Sequence, residues 1–511
     1  MDFNRRTFLR YGTASAVVAG VGVTAPWALA DSTPPWSKLS GRLSGPLVLP
    51  GDSGFAAAEA VYFNHFDTPA PAAVAYCTSE SDVSACISFA QEHGVASVPR
   101  SGGHSHAGFS TTTGLVIDVS RLNAVSLSAG HGGPLVTLGP GTHLVDALSA
   151  LAPKGYAIVG GSCPTVCAGG FVQGGGYGLL ARGHGMSCDR VVSARVVLAN
   201  GKVVTASERE NPDLYWALRG GGGGNFGIVT EFQVRPVAIT QLSEYALTWP
   251  FADSLAVFEA WQDWVATAPA ALGGGFSLSA SPAYPGGIPM LSVSGGWSDN
   301  LDALNACLDH LVAAAGSVPT TRSASTYTYQ EAMMSTYGCG TLTAEQCHVV
   351  GTTPEALLPR NNYLAVRNRM FSRPMPADVS AAVVAAFDTS PPAGHTRLVN
   401  GAALGGVIND LDRTETAYVH RTTRFQLILV DTIPDEANPD AADQASANAW
   451  NAQVFDLIDP VCNGESYQNM PDPALSDWRR SYYAENYPRL TAVKRAYDPY
   501  GFFTFPQAIG R

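Results

Sequence analysis

At 511 residues the chain is too long for one simple core and predicts two closely connected domains. A hydrophobic content of 46% with only 14% charged residues excludes a disordered polymer, and a net charge of -12 disfavours nucleic acid or an anionic membrane as partner, since both demand basic patches. The 53 glycines and 34 prolines imply many loops between short elements.

In chain order, Asn4-Arg-Arg-Thr-Phe-Leu-Arg10 precedes a modest apolar run from Ala14 to Ala25, and Ala28-Leu-Ala30 offers small residues for cleavage. With the paired Arg5 and Arg6, this reads as a twin-arginine signal over residues 1–30, hence a bacterial protein exported already folded, to the periplasm or beyond. A membrane anchor is the competing reading, but the run is short and rich in Gly, Ala and Thr, too weak to span a bilayer well. A polar, proline-containing lead then runs to about Pro50.

Ser81 to Ala90 has helical spacing with a serine cap and a stop at Gly94. Val95–Pro99, Leu115–Val119 and Leu135–Leu138 read as short strands, His143–Leu151 as a helix, Val191–Leu198 and Lys202–Thr205 as the arms of a hairpin. Asn211–Arg219 is helical, Phe226–Val234 is a strand, and between them Gly222-Gly-Gly224-Asn-Phe-Gly227 satisfies G-x-G-x-x-G. A dinucleotide fingerprint runs strand, glycine turn, helix, whereas here the order is helix, turn, strand, so a Rossmann reading fails. Beyond Ala238 longer amphipathic helices (Ser254–Thr267, Asn300–Ala315, Pro376–Phe387) alternate with strand runs at Phe276–Ala280, Met290–Ser294 and Arg424–Val430, predicting an antiparallel sheet covered by helices on one side. Ala441–Ile458 is helical. The expected class is α+β, divided at residues 31–237, 238–454 and 455–511.

Nine cysteines in an oxidising compartment permit disulfides, and the odd count leaves one spare thiol if the others pair. Cys339 with Cys347 is the favoured local pair and Cys163 the favoured exception. No C-x-x-C spacing suggests zinc, and His104 with His106 lacks a third ligand or carboxylate, so no metal is expected.

Two reactive side chains stand out in glycine-rich loops: His104 in Val98-Pro-Arg-Ser-Gly-Gly-His-Ser-His106, and Cys163 in Gly160-Gly-Ser-Cys-Pro-Thr-Val166. Glycine lets backbone approach a flat or phosphorylated ligand, so the pair suggests a cofactor both cradled and covalently held. These segments, together with Gly174-Gly-Gly-Tyr-Gly178, Arg219 to Gly227, Ala417-Tyr-Val-His-Arg421, Tyr467-Gln-Asn469 and Asn486-Tyr-Pro-Arg-Leu490, resemble in content and order the berberine-bridge-enzyme-like FAD-linked oxidases of the vanillyl-alcohol-oxidase fold.

The resemblance implies a PCMH-type FAD-binding domain in which His104 bonds the flavin 8α carbon and Cys163 bonds C6. It implies further FAD contacts from Arg100, Ser101, Gly102, Gly103, Ser105, Gly169, Gly170, Gly174, Gly175, Gly178, Gly227, Val229, Asn469 and Asn486. Tyr467 takes the place of the family's base, which needs a nearby cation because a free phenol has a pKa of about 10. Strand alternation puts Arg424 and Gln426 on one face, as that cation and a polar active-site residue. Tyr177 would line the active site, Val166 would leave room for O2, and His106 stands where relatives carry tyrosine, as a pocket residue or auxiliary base.

The expected activity is oxidation of a hydroxyl group of a sugar or glycosylated secondary metabolite, with hydride passing to flavin N5 and H2O2 as product, by a chain expected to be a monomer. Oxidative ring closure is the alternative, although glutamine at 426, rather than a nearby glutamate, speaks against its alkaloid form. A non-catalytic binding protein would have lost His104, Cys163 or Tyr467, and all three are present.

Overall fold

The computed structural model describes residues 34–130, 132–387, 389–433 and 439–510; the twin-arginine segment lies outside these. The first part holds two larger sheets and a two-stranded pair, Tyr156–Ala157 with Val237–Ala238. Ala73–Tyr76, Leu115–Asp118 and Ser97–Arg100 pair in parallel, with Leu47–Val48 added antiparallel at one edge. The parallel pairing requires a crossover, supplied by the helix Glu80–His93. Its cap is Ser79 rather than Ser81: the Ser79 hydroxyl accepts from Asp82 N at 3.2 Å, and Gly94 ends the helix at φ +64°. The second sheet is antiparallel, in the order Val125–Gly130, Gly133–Leu138, Ile228–Val234, Val191–Val197, Val203–Ser207.

The other large unit is a seven-stranded antiparallel sheet. Its order is Thr321–Thr328, Gln241–Trp249, Met290–Trp297, Leu272–Ala280, Thr396–Ala403, Phe425–Ile433, Tyr363–Phe371. Helices Ser254–Thr267, Leu301–Ala315, Ala377–Ala386 and Ala441–Ile458 pack together on one face. There Phe425, Leu427 and Leu429 are fully buried, and Trp261 lies against Phe276 and Phe425 at 5.8 and 5.4 Å between ring centres. Alternation turns Gln426, Ile428 and Val430 to the opposite face. That face is a wall of the cleft described next.

Mixed helix and sheet of this kind is the α+β class. Cys339 and Cys347 form a disulfide, and the other seven cysteines are free, so the rest of the thiols do not pair. Among the described residues no helix is long and apolar enough to cross a membrane.

Candidate active site

A cleft of about 780 Å³ runs between the glycine loops and the free face of the seven-stranded sheet. Parallel pairing with Leu115–Asp118 aims the end of strand Ser97–Arg100, and hence the His104 loop, into it. Arg100 is 5% exposed; its Nε donates to Asp118 at 2.6 Å and its Nη2 to Ala58 O at 2.7 Å, which anchors the loop base. Ser105 accepts from Phe109 N at 3.1 Å, turning the chain beyond the histidine.

His104 and Cys163 meet at a single hydroxyl. Thr165 Oγ1 is 2.9 Å from His104 Nε2 and 3.6 Å from Cys163 Sγ. The Tyr62 ring stacks on the His104 imidazole with centres 3.9 Å apart. Burial, then the neighbouring His106 and His143, pushes the His104 pKa down to about 3, so its ring is neutral with a free lone pair. No sequence motif marks Tyr62 or Thr165 as a partner of His104. Thr165 was visible two residues after Cys163; nothing local marks Tyr62.

Tyr467, which also lines the cleft, is 3% exposed and its hydroxyl accepts from Gly176 N at 2.8 Å and Asn469 Nδ2 at 3.1 Å. The Tyr177 ring lies 5.1 Å away, and its hydroxyl donates to Gln426 Oε1 at 2.8 Å. Gln426 Nε2 donates to Asn368 Oδ1 at 2.9 Å, which also receives the Tyr467 backbone N–H at 2.8 Å. Asn368, buried in a strand the sequence did not reveal, thus fixes both. Burial and the nearby Tyr177 raise the Tyr467 pKa above its ordinary value, against the pull of its two donors.

Four expected roles change. Arg424 is exposed and lies one residue before the strand Phe425–Ile433; only its backbone is engaged, with Phe371 O and Leu404 N, so it is not a cation beside Tyr467. Two neutral N–H donors, Gly176 N and Asn469 Nδ2, face the Tyr467 hydroxyl instead, with no buried charge. Asn486 is buried away from the cleft, its amide donating to the carbonyls of Arg413 and Thr416 at 2.8 and 3.1 Å. Gly174 and Gly175 do not line the cleft either. A Cβ at Gly174 would stand 1.8 Å from Asn469 Oδ1, and Gly175 has φ +127° against Tyr418 and Met186. These two glycines are needed to seat Asn469 and the turn, and Gly174→Ala is expected to destabilise the fold by about 1–3 kcal/mol, read from urea unfolding.

The remaining candidates, Ser101, Gly102, Gly103, Gly169, Gly170, Gly178, Gly227, Val229, Val166, His106 and Asn469, all line the cleft. Two buried atoms in its wall, Arg100 Nη1 and His106 Nδ1, have no hydrogen-bond partner, as expected of a wall that awaits a polar ligand. Open glycine backbone, an unpaired guanidinium nitrogen and two convergent nucleophiles suit a long anionic cofactor with a reactive ring, and so fit FAD.

Comparison with known proteins agrees. A family model described as FAD binding domain matches residues 71–207, and one described as berberine and berberine like matches 466–510. An FAD-linked oxidoreductase of Claviceps purpurea is 30% identical over 84% of this chain and 90% of its own. A chitooligosaccharide oxidase of Gibberella zeae is 28% identical over 86% and 87%. The solved glucooligosaccharide oxidase of Acremonium strictum, which carries 6-S-cysteinyl, 8α-N1-histidyl FAD, superposes with a TM-score of 0.80 at 25% identity, covering 92% of this chain and 98% of that one. Fold and site therefore define an FAD-linked oxidoreductase. The chain belongs to the berberine-bridge-enzyme-like family of these enzymes.

Proposed function

We propose that this chain is an exported oxidase that holds FAD covalently through His104 and Cys163 and oxidises a hydroxyl group of a sugar or a glycosylated metabolite. The convergence of both side chains on Thr165 Oγ1 carries the covalent part of this reading. When bound, FAD supplies the acceptor for the hydride and, with O2, yields H2O2. The protein's own work is to place the substrate and move its proton. Tyr467 takes the hydroxyl proton at its phenol oxygen, while the Gly176 and Asn469 N–H groups stabilise the phenolate form. Tyr177, its hydroxyl bonded to Gln426, walls the same side. Val166, half-buried at the cleft, leaves space for O2 beside Cys163.

The sheet wall supports the substrate class. Ser277, Ser294 and Asn400 offer hydrogen-bonding groups to a sugar, with Ser277 donating to Asn400 at 2.7 Å. Leu364, Val366, Ile428 and Val430 form an aliphatic patch that suits an apolar aglycone. Peroxide release from a panel of oligosaccharides and glycosides tests this: turnover with at least one class is expected, and none with any sugar-bearing compound would remove the reading. Export through Arg5 and Arg6 predicts that the Arg5→Lys/Arg6→Lys variant stays in the cytoplasm on cell fractionation; unchanged export refutes that route.

A further inference from the structure

Outside the cleft, two imidazoles and a carboxylate converge where the two large units of the chain meet. His143 caps the helix Leu144–Leu151, and Asp146 follows in its first turn, three residues on, so both project from one side. His348 reaches the same place from the residue after Cys347, whose disulfide to Cys339 staples its loop. Asp146 Oδ2 is 3.3 Å from His143 Nδ1, and Asp146 Oδ1 is 3.1 Å from His348 Nε2. The three donor atoms all lie within 4.8 Å of one another, and the two rings stand nearly perpendicular with centres 5.0 Å apart.

His348 is 5% exposed, and its Nδ1 faces the Ala344 carbonyl at 2.9 Å. That contact turns Nε2 toward the cluster, the arrangement of metal-binding histidines whose other nitrogen donates to a carbonyl. Two imidazole nitrogens and a carboxylate oxygen this close together are held by positive charge among them. Either protons or a metal ion must supply it.

We propose that His143, Asp146 and His348 form a binding site for a divalent transition-metal ion such as zinc, with a fourth position left to water. Two imidazole nitrogens and a carboxylate are a ligand set this class of ion takes, and the two histidine–carboxylate separations, 3.3 and 3.1 Å, suit donors around a tetrahedral ion. The sequence hid the site because its third ligand comes from a distant loop. The ion would clamp the stapled loop onto the helix start. That helix start is also bonded to the segment beyond Cys163: Leu144 N donates to Val166 O at 3.0 Å, and Val145 N to Pro164 O at 3.1 Å. The site is thus a structural brace behind the loop that bears Cys163.

The test uses the flavin-loaded protein, stripped with EDTA, dialysed and titrated with zinc chloride. Wild type is expected to take up one zinc ion per chain and to melt at a higher temperature with zinc than without. His348→Ala and Asp146→Asn, each with the wild-type flavin spectrum, are expected to bind zinc more than about tenfold more weakly and to show no shift in Tm. If either variant does not fold, His348→Gln replaces it. Wild type without stoichiometric zinc would overturn the proposal in favour of a proton-held cluster, and so would variants that keep wild-type affinity.

Discussion

Replacing Tyr467 with Phe is expected to lower kcat by about 10²- to 10⁴-fold, the range for losing a positioned general base, with flavin content and absorbance unchanged. The ring stays packed beside Tyr177, so the lesion is confined to one oxygen and the two N–H groups that face it, Gly176 N and Asn469 Nδ2. The pH profile separates this base from its rival. With Tyr467 as the proposed base, the form that accepts the proton is the phenolate, and burial raises its pKa above the ordinary value near 10. Below that pKa the phenolate fraction grows tenfold per pH unit, so kcat/KM of the wild type should climb through neutrality without a plateau. His106 behaves oppositely: burial pushes its pKa down to about 4, so a reaction using it would be flat above that pH. Stopped-flow reduction with a turnover substrate reads the difference. A flat neutral profile, or full turnover in Tyr467→Phe, removes Tyr467 as the base.

How the site is built explains which parts of it could be read along the chain. The glycine-loop side of the cleft rests on local signals: glycines that only a close backbone approach explains, and Cys163 and His104 inside them. Helices with clear caps were legible for the same reason, as at Asn300, whose side chain accepts from Ala303 N at 2.8 Å, with Gly316 closing the helix at φ +65°. The strands that form the cleft wall were harder. Tyr363–Phe371 carries Arg367, Asn368 and Arg369, polar residues that break an apolar pattern yet are paired inside: Arg367 with Asp472 at 2.8 Å and Arg369 with Asp459 at 2.5 Å. Leu272–Ala280 carries three glycines straight after Leu272, which weaken any strand signal, although a Cβ at Gly275 would stand 1.8 Å from Gly401 O. Arg424 shows the opposite error. Alternation assigned it a face, but a strand that begins one residue later leaves it in solvent. Only tertiary pairing decides such boundaries.

The double variant His104→Ala/Cys163→Ala is expected to lose all acid-stable flavin, while each single variant keeps flavin on the remaining side chain. Tryptic peptides that carry flavin absorbance, identified by mass, measure each link separately. Release of all flavin by either single change would refute two independent attachments. Thr165 sharpens the expectation. With His104 neutral, its Nε2–H can donate to Thr165 Oγ1, which leaves the Nδ1 lone pair as the nucleophile. Thr165→Val keeps the volume but removes the acceptor, so the ring can adopt the other tautomer. The fraction of chains linked through His104 should then fall several-fold, and Thr165→Ser should restore it. Cys163 touches the same hydroxyl more weakly, at 3.6 Å, so the Cys163 link should be the less affected of the two. Equal loss of both links would instead mark Thr165 as a packing residue of the Cys163 loop. Tyr62 provides the counterpart: its ring stacks on His104, and Tyr62→Leu should slow attachment at His104 without altering the Cys163 link.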